Sequence, residues 1–154
     1  MRKQKGFSLI ELLIVVAIIL IIAAIAIPNL LKARIAANQA SAVGSLRTIV
    51  TSEVSYQSSY GGYSPTLVSL GGALPCTSSA LTACLIDPVL GGGQKSGYAF
   101  TYTAGAGAPV ASFTCAGDAI TQGTTGDMHY FTDNSGVIRF NAAAVATAAS
   151  PALQ

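Results

Sequence analysis

Charged side chains are scarce in this chain of 154 residues. They make up 9% of the sequence, whereas an ordinary soluble domain has about 25%. Three of the eight basic groups, Arg2, Lys3 and Lys5, fall within the first five residues, which leaves five basic against six acidic groups in the remainder. That near-neutral remainder contains no basic patch of the kind that binds nucleic acid.

Histidine is almost missing, which argues against an enzyme. The single histidine, His129, sits in a predicted strand, and no pattern of nucleophile, base and acid accompanies it. We therefore predict a packed or surface strand residue at this position, no catalytic residue and no cofactor.

Long hydrophobic runs, by contrast, are present. Leu12 to Ile27 are sixteen consecutive apolar residues, and adding residues 7–11 gives a 21-residue stretch broken only by Ser8 and Glu11. At ~1.5 Å per residue this stretch spans roughly 30 Å, enough to cross a bilayer core. Because positive flanks resist translocation, the basic N-terminus is expected in the cytoplasm and the rest of the chain outside.

Three other interpretations of this stretch are weaker. A secretory signal peptide could end at Ala24-Ile25-Ala26, but the run is long for one and carries a carboxylate. A plain signal anchor leaves Glu11 unexplained. A buried core helix conflicts with the length of the unbroken apolar run.

Glu11 is the unusual residue of the span. A carboxylate at the centre of a membrane helix costs ~2.5–3.5 kcal/mol and less near the end, so Glu11 is predicted to have a partner. Ser8-x-x-Glu11 also fits a capping box, in which the serine and the acid satisfy free N–H groups at the helix start.

The first thirty residues carry a family resemblance. A short basic leader ends at Gly6, is followed by Phe7 and Glu11, then by the apolar run and Pro28. This pattern resembles the class III signal of type IV pilins and type II secretion pseudopilins. The resemblance implies cleavage between Gly6 and Phe7 and N-methylation of Phe7. It also implies that Glu11 of an incoming subunit neutralises the Phe7 amine of the preceding one.

The same resemblance implies a structural subunit of a type IV pilus that serves adhesion, motility or DNA uptake. The implied partners are further copies in a helical homopolymer, a prepilin peptidase that is also an N-methyltransferase, an inner-membrane assembly platform with a cytoplasmic ATPase, and membrane lipid before assembly. The implied locations are the inner membrane for the precursor and the cell exterior for the pilus.

Two alternatives remain open at this stage. The first is a type II secretion pseudopilin of the periplasmic pseudopilus. The major pseudopilin typically carries Asp-Pro-Trp-Gly before its sheet, whereas this chain has Asp87-Pro88-Val89-Leu90-Gly91 and no tryptophan, which favours the pilus. The second is a monomeric, signal-anchored binding domain, which predicts no processing after Gly6.

The remaining pattern predicts an α+β fold in which one long helix packs on an antiparallel sheet of about four strands. The helix is predicted from Phe7 to about Ser58, with a kink at Pro28. Its assembly half covers 7–27 and its amphipathic half 28–58. The apolar face of the second half is predicted at Leu31, Ile35, Ala42, Leu46, Ile49, Val50 and Val54, and the polar faces at Lys32, Arg34, Asn38, Gln39, Arg47 and Glu53.

After the six-residue leader and the helix come two further segments, a connecting loop at 59–95 and a β head with its tail at 96–154. The strands are predicted at Ser96–Thr103, Val110–Cys115, Asp127–Thr132 and Val137–Asn141. Asp133-Asn134-Ser135-Gly136 predicts a tight turn between the last two. The alanine-rich tail from Ala142 is expected to form a short helix or to be disordered.

Two minor site predictions concern the head. A disulfide is expected outside the cytoplasm, and the local pair Cys76–Cys84 is preferred, with Cys115 as a buried thiol; spacing alone leaves pairing with Cys115 open. Asp118, Asp127 and Asp133 are weak calcium candidates, but no EF-hand spacing is present and a turn explains Asp133 better. No metal site is therefore predicted.

Overall fold

The fold comes from a computed structural model that describes residues 7–73 and 75–153. The chain divides into two compact units, Met1–Arg34 and Ile35–Gln154. One helix, α1 at Leu9–Tyr60, has 52 residues and contains Pro28 in its interior. The long helix predicted from the sequence is therefore confirmed, with both ends about two residues later. Pro28 does not end the helix, and the kink there stays a prediction.

In the first unit, α1 presents apolar side chains in every direction. Leucines, isoleucines and valines from Leu9 to Leu31 are all exposed. The helix is long and apolar enough to cross a membrane by length and composition. A helix that is apolar all round is stable only when something else covers it, so this part of the chain requires lipid or other protein around it.

The second unit has its own hydrophobic core. From α1, the buried Ala42, Leu46 and Ile49 supply one side of this core, as their helical spacing predicts. The other side comes from Tyr98 and Phe100, which alternate along a strand and so point to the same face of the sheet.

The sheet is antiparallel, with its five strands in chain order. Their bounds are β1 Gln94–Lys95, β2 Tyr98–Ala104, β3 Phe113–Ala119, β4 His129–Asp133 and β5 Arg139–Asn141. The predicted α+β class and the four longer strands are confirmed. The two-residue β1 was not predicted, and β3 lies three to four residues later than Val110–Cys115. The turn predicted at Asp133–Gly136 is also confirmed, because Gly136 N donates to Asp133 O over 2.9 Å.

The segment predicted as a connecting loop contains two single-turn helices, α2 at Leu67–Leu70 and α3 at Pro88–Gly91. The Thr66 side chain caps α2 and the Asp87 side chain caps α3. Both caps accept a backbone N–H that the first turn of a helix leaves free.

The C-terminal tail is neither helical nor unattached, contrary to the expectation for it. Ala152 pairs with Arg139 in an antiparallel bridge. On either side of that bridge, Phe140 N donates to Pro151 O over 3.0 Å and Leu153 N donates to Ile138 O over 2.7 Å. The last residues therefore run alongside β5.

Two positions on α1 differ from the predicted amphipathic pattern. Val54, predicted apolar and inward, is 59% exposed, and Glu53, predicted on a polar face, is completely buried. Helical geometry explains the exchange, because Glu53 is four residues from Ile49 and three from Tyr56, both of which face the core.

Candidate assembly site

The processing site predicted from the sequence lies at the start of the chain. Gly6 falls outside the described residues, and Phe7 begins them with 82% of its surface exposed. Cleavage between Gly6 and Phe7 and methylation of Phe7 therefore remain predictions. The side chain of Phe7, the first described residue, is accessible.

Glu11 lies in the first turn of α1 and makes the acid's half of the predicted capping box. Ser8 N donates to Glu11 Oε2 over 2.9 Å, which satisfies one of the N–H groups that a helix start leaves free. The other carboxylate oxygen, Oε1, has no partner among the described residues. As far as the described residues go, one half of the carboxylate is left to accept a hydrogen bond from another molecule.

The surroundings of Glu11 make its charge significant. Glu11 is the only acidic residue between Phe7 and Arg34, and the neighbouring Ile10 and Leu12 are exposed apolar side chains. When lipid or apolar protein covers these neighbours, the local dielectric falls and the attraction between Glu11 and a cation rises in proportion. The site is therefore suited to binding one positive group at the depth of the first helical turn.

The disulfide prediction is confirmed in the segment between α1 and the sheet. Cys76 and Cys84 are bonded, with Cα atoms 6.1 Å apart, and Cys115 is a buried free thiol. Burial, with a smaller contribution from the charge of Glu53, raises the pKa of Cys115 to about 12. Gly72 packs directly on the Cys76 Sγ atom, so that a side chain at position 72 would collide with the disulfide.

Sequence reasoning missed a buried polar network that includes Glu53. Ser64 donates twice to the Glu53 carboxylate, from its backbone N over 2.9 Å and from its hydroxyl over 2.5 Å. Tyr102 OH donates to Ser64 O over 2.9 Å. The network joins α1, the segment after it and β2, and burial raises the pKa of Tyr102 far above its ordinary value. The available signal was the helical spacing of Glu53, four residues after Ile49 and three before Tyr56.

The weak calcium candidates do not converge. Asp118 Oδ1 is 2.7 Å from His129 Nδ1 on the neighbouring strand, and Asp133 accepts hydrogen bonds from Ser135 N and Oγ within the turn. Asp127 is exposed. Within residues 7–73 and 75–153, no three acidic, histidine or cysteine side chains are grouped to hold a metal ion.

Comparison with known proteins gives an independent result. The sequence model of the prokaryotic N-terminal methylation motif matches residues 1–27. The chain is 50% identical over 90 residues to the type IV wide pilus major component PilA4 of Thermus thermophilus, which covers 56% of this chain and 67% of that relative. It is 47% identical over 62 residues to the type IV major pilin protein PilA of Myxococcus xanthus, which covers 40% of this chain but only 28% of that longer relative. No solved structure gives a significant match.

A helix with one acid at the start of an apolar rod, joined to a disulfide-bonded sheet head, defines a class of membrane-anchored filament subunits. The chain belongs to the type IV pilins, because it carries the methylation motif and matches a relative that is 50% identical over two thirds of that relative's length. It is a structural subunit of a pilus, and the comparisons do not favour the pseudopilin or the monomeric binding domain.

Proposed function

We propose that the chain is made as an inner-membrane precursor with a cytoplasmic N-terminus, is cleaved between Gly6 and Phe7, and polymerises into an extracellular pilus through α1. A prepilin peptidase that also methylates Phe7 would process it, and an inner-membrane platform driven by a cytoplasmic ATPase would assemble it. The observation that carries this proposal is the unused oxygen of Glu11 in an apolar environment.

Pairing between copies follows from charge. Cleavage after Gly6 creates an ammonium at Phe7, and methylation keeps its charge. In the apolar interior of a helical bundle, an unpaired ammonium or carboxylate is strongly unfavourable, whereas a hydrogen-bonded pair is tolerated. A copy whose Glu11 reaches the Phe7 amine of its neighbour is therefore favoured over every other axial position.

Within this proposal, residues 1–6 are the leader, 7–27 the membrane and assembly segment and 28–58 the amphipathic part of the helix. The loop at 59–95 and the β head at 96–154 face outward from the polymer. The subunit acts mechanically, without catalysis or a cofactor, and the filament would serve adhesion, surface motility or DNA uptake.

The decisive experiment replaces Glu11. Glu11→Ala is expected to give a protein that is processed and inserted in the membrane but absent from sheared surface filaments, since the Phe7 amine then has no counter-charge. N-terminal sequencing of wild-type filaments should find methylated Phe7 at the start.

The matched control is Ser8→Ala. The contact to Glu11 comes from the backbone N of Ser8, so this variant keeps it and should assemble normally. Normal filaments from Glu11→Ala, or a mature product that starts well inside the apolar run, for example at Ile27, would contradict the proposal.

A further inference from the structure

Charged residues bracket the apolar part of α1 at one bilayer thickness. The helix carries no charged side chain between Glu11 and Lys32, a distance of about 31 Å at the rise of an α-helix. A bilayer hydrocarbon core is ~30 Å thick. When Glu11 lies near one face of the core, Lys32 therefore reaches the opposite face.

Lys32 and Arg34 are both exposed. Neither lies within 4.0 Å of an acidic group among the described residues, where Lys95 pairs with Asp87 and the His129 ring contacts Asp118. Two residues along an α-helix correspond to a rotation of about 200°, so the two side chains leave on nearly opposite sides. The helix thus presents two unpaired cations around its circumference at one depth.

We infer that Lys32 and Arg34 bind the phosphate groups of anionic phospholipids in the outer leaflet of the inner membrane and so fix the depth of the precursor. The inference rests on the proposed function, because it requires a membrane-inserted precursor. The aliphatic stems can lie along the apolar helix while the charged ends reach the headgroups. The arginine can hold a phosphate with two parallel hydrogen bonds, and the lysine attracts it as a compact charge.

This arrangement has a role in assembly. Once the leader has been cleaved, the lipid contacts hold the Phe7 amine and Glu11 of every waiting subunit at the same height, because the helix between the two ends has a fixed length. A subunit that enters the filament exchanges the lipid contacts for contacts with other copies. Acidic groups of a second copy are the alternative partner for the two cations, and a lipid-binding measurement distinguishes them from phospholipid.

The test is native mass spectrometry of the uncleaved chain in detergent, with equimolar phosphatidylglycerol and phosphatidylcholine added. All samples carry Arg2→Gln, Lys3→Gln and Lys5→Gln, because the leader cations would bind the same headgroups. The parent chain should retain more phosphatidylglycerol than phosphatidylcholine. Lys32→Gln and Arg34→Gln should each reduce that preference about fivefold, and the double variant should retain both lipids equally.

Arg47→Gln is the matched control, since Arg47 is an exposed cation on the same helix but beyond the span; its lipid preference should equal that of the parent. Equal retention of both lipids by the parent would overturn the inference, as would a preference that persists in the double variant. If the double variant keeps its lipid preference yet forms no filaments in cells, the cations act between copies instead. Failure of the Glu11 experiment would concern polymerisation alone, because the lipid measurement uses the precursor before assembly.

Discussion

At the scale of single residues, Glu53 is a fully buried acid in the second unit. Its carboxylate is buried beside no cation within the described residues, and both of its protein donors belong to Ser64. A buried polar group is tolerated only when its hydrogen bonds are satisfied. Glu53 therefore ties the segment after α1 to the helix through two atoms of one residue.

Glu53→Ala should destabilise the head by about 3 kcal/mol, because it leaves Ser64 N buried without an acceptor and opens a cavity. Urea unfolding of the purified chain in detergent, followed by tyrosine circular dichroism, measures the loss.

Glu53→Gln provides the comparison. Its amide oxygen can still accept from Ser64 N, its NH₂ group can donate to the Ser64 hydroxyl, and that hydroxyl can donate to Thr66 O, 3.1 Å away. The glutamine variant should lose less than about 1 kcal/mol. Equal losses in both variants would show that the negative charge, and not the hydrogen bonds, holds the segment.

At the scale of helices and strands, the sequence predicts long periodic elements and misses short ones. α1 follows from its apolar run and its helical spacing, and β2 follows from the alternation of Tyr98, Phe100 and Tyr102. The second half of β3 has no such pattern, because Ala116, Gly117 and Asp118 are poor strand formers. Pairing of all three with β2, and of Ala116 and Gly117 also with β4, makes them a strand, and that context is absent from local sequence.

The short helix α3 should add a pH-dependent contribution to stability. The Asp87 carboxylate accepts from Lys95 Nζ over 2.8 Å and caps Leu90 N over 3.0 Å, and the lysine is the main reason that its pKa is lowered from 3.8. A lowered folded-state pKa stabilises the fold fully above pH 3.8, and this stabilisation is lost as the pH falls through the folded value. The pair is partly exposed, so its worth at pH 7 is below about 1 kcal/mol.

Asp87→Asn should therefore be slightly less stable than the parent at pH 7, and the two should converge as the pH approaches about 2, since the parent carboxylate is then protonated too. Urea unfolding at several pH values tests this. Lys95→Met, which keeps the cap and removes the cation, should give the same convergence. A constant difference at all pH values would mean that Asp87 acts only as a cap.

Formation of the Cys76–Cys84 disulfide should depend on Gly72, which lies outside the ring that the bond closes. Removing the bond with Cys76→Ser and Cys84→Ser together should cost about 2.5 kcal/mol, the loop-closure entropy of a short ring. Gly72→Ala should approach the same loss, because the new methyl group would collide with Cys76 Sγ. Thiol counting and unfolding measure both effects, with Cys115→Ala as a variant that keeps the bond. An intact bond and unchanged stability in Gly72→Ala would refute the predicted collision.

At the scale of the whole molecule, the methylation motif was recognisable from the sequence and the buried polar network around Glu53 was not. Gly6, Phe7, Glu11 and the apolar run are contiguous, so their relation is visible in one dimension. Glu53, Ser64 and Tyr102 are separated by up to 49 residues and meet only when the sheet folds on the helix. Glu53 was predicted on a polar face, and no sequence pattern named its partners.

The second unit should fold without the first. Its core consists of residues from Ala42 onward, whereas the side chains of residues 7–34 are almost all exposed. A chain that starts at Ile35 is expected to be a soluble monomer with the Cys76–Cys84 bond intact, since it lacks the apolar run that needs lipid or other copies. Size-exclusion chromatography and thiol counting test this. Aggregation of the truncated chain, or a reduced disulfide under oxidising conditions, would contradict it.

The pairing of the C-terminal residues with β5 has a further consequence for subunits that pack closely in a fibre. A sheet normally ends in a row of free backbone donors and acceptors, which can recruit a strand from a neighbouring molecule. On the β5 side, residues 151–153 occupy part of that row, and the opposite border strand, β1, has only two residues and includes Lys95. In the proposed polymer, heads that the helices hold side by side are thereby discouraged from pairing sheet to sheet, and loss of those last residues would expose the free row and favour amyloid-like aggregation.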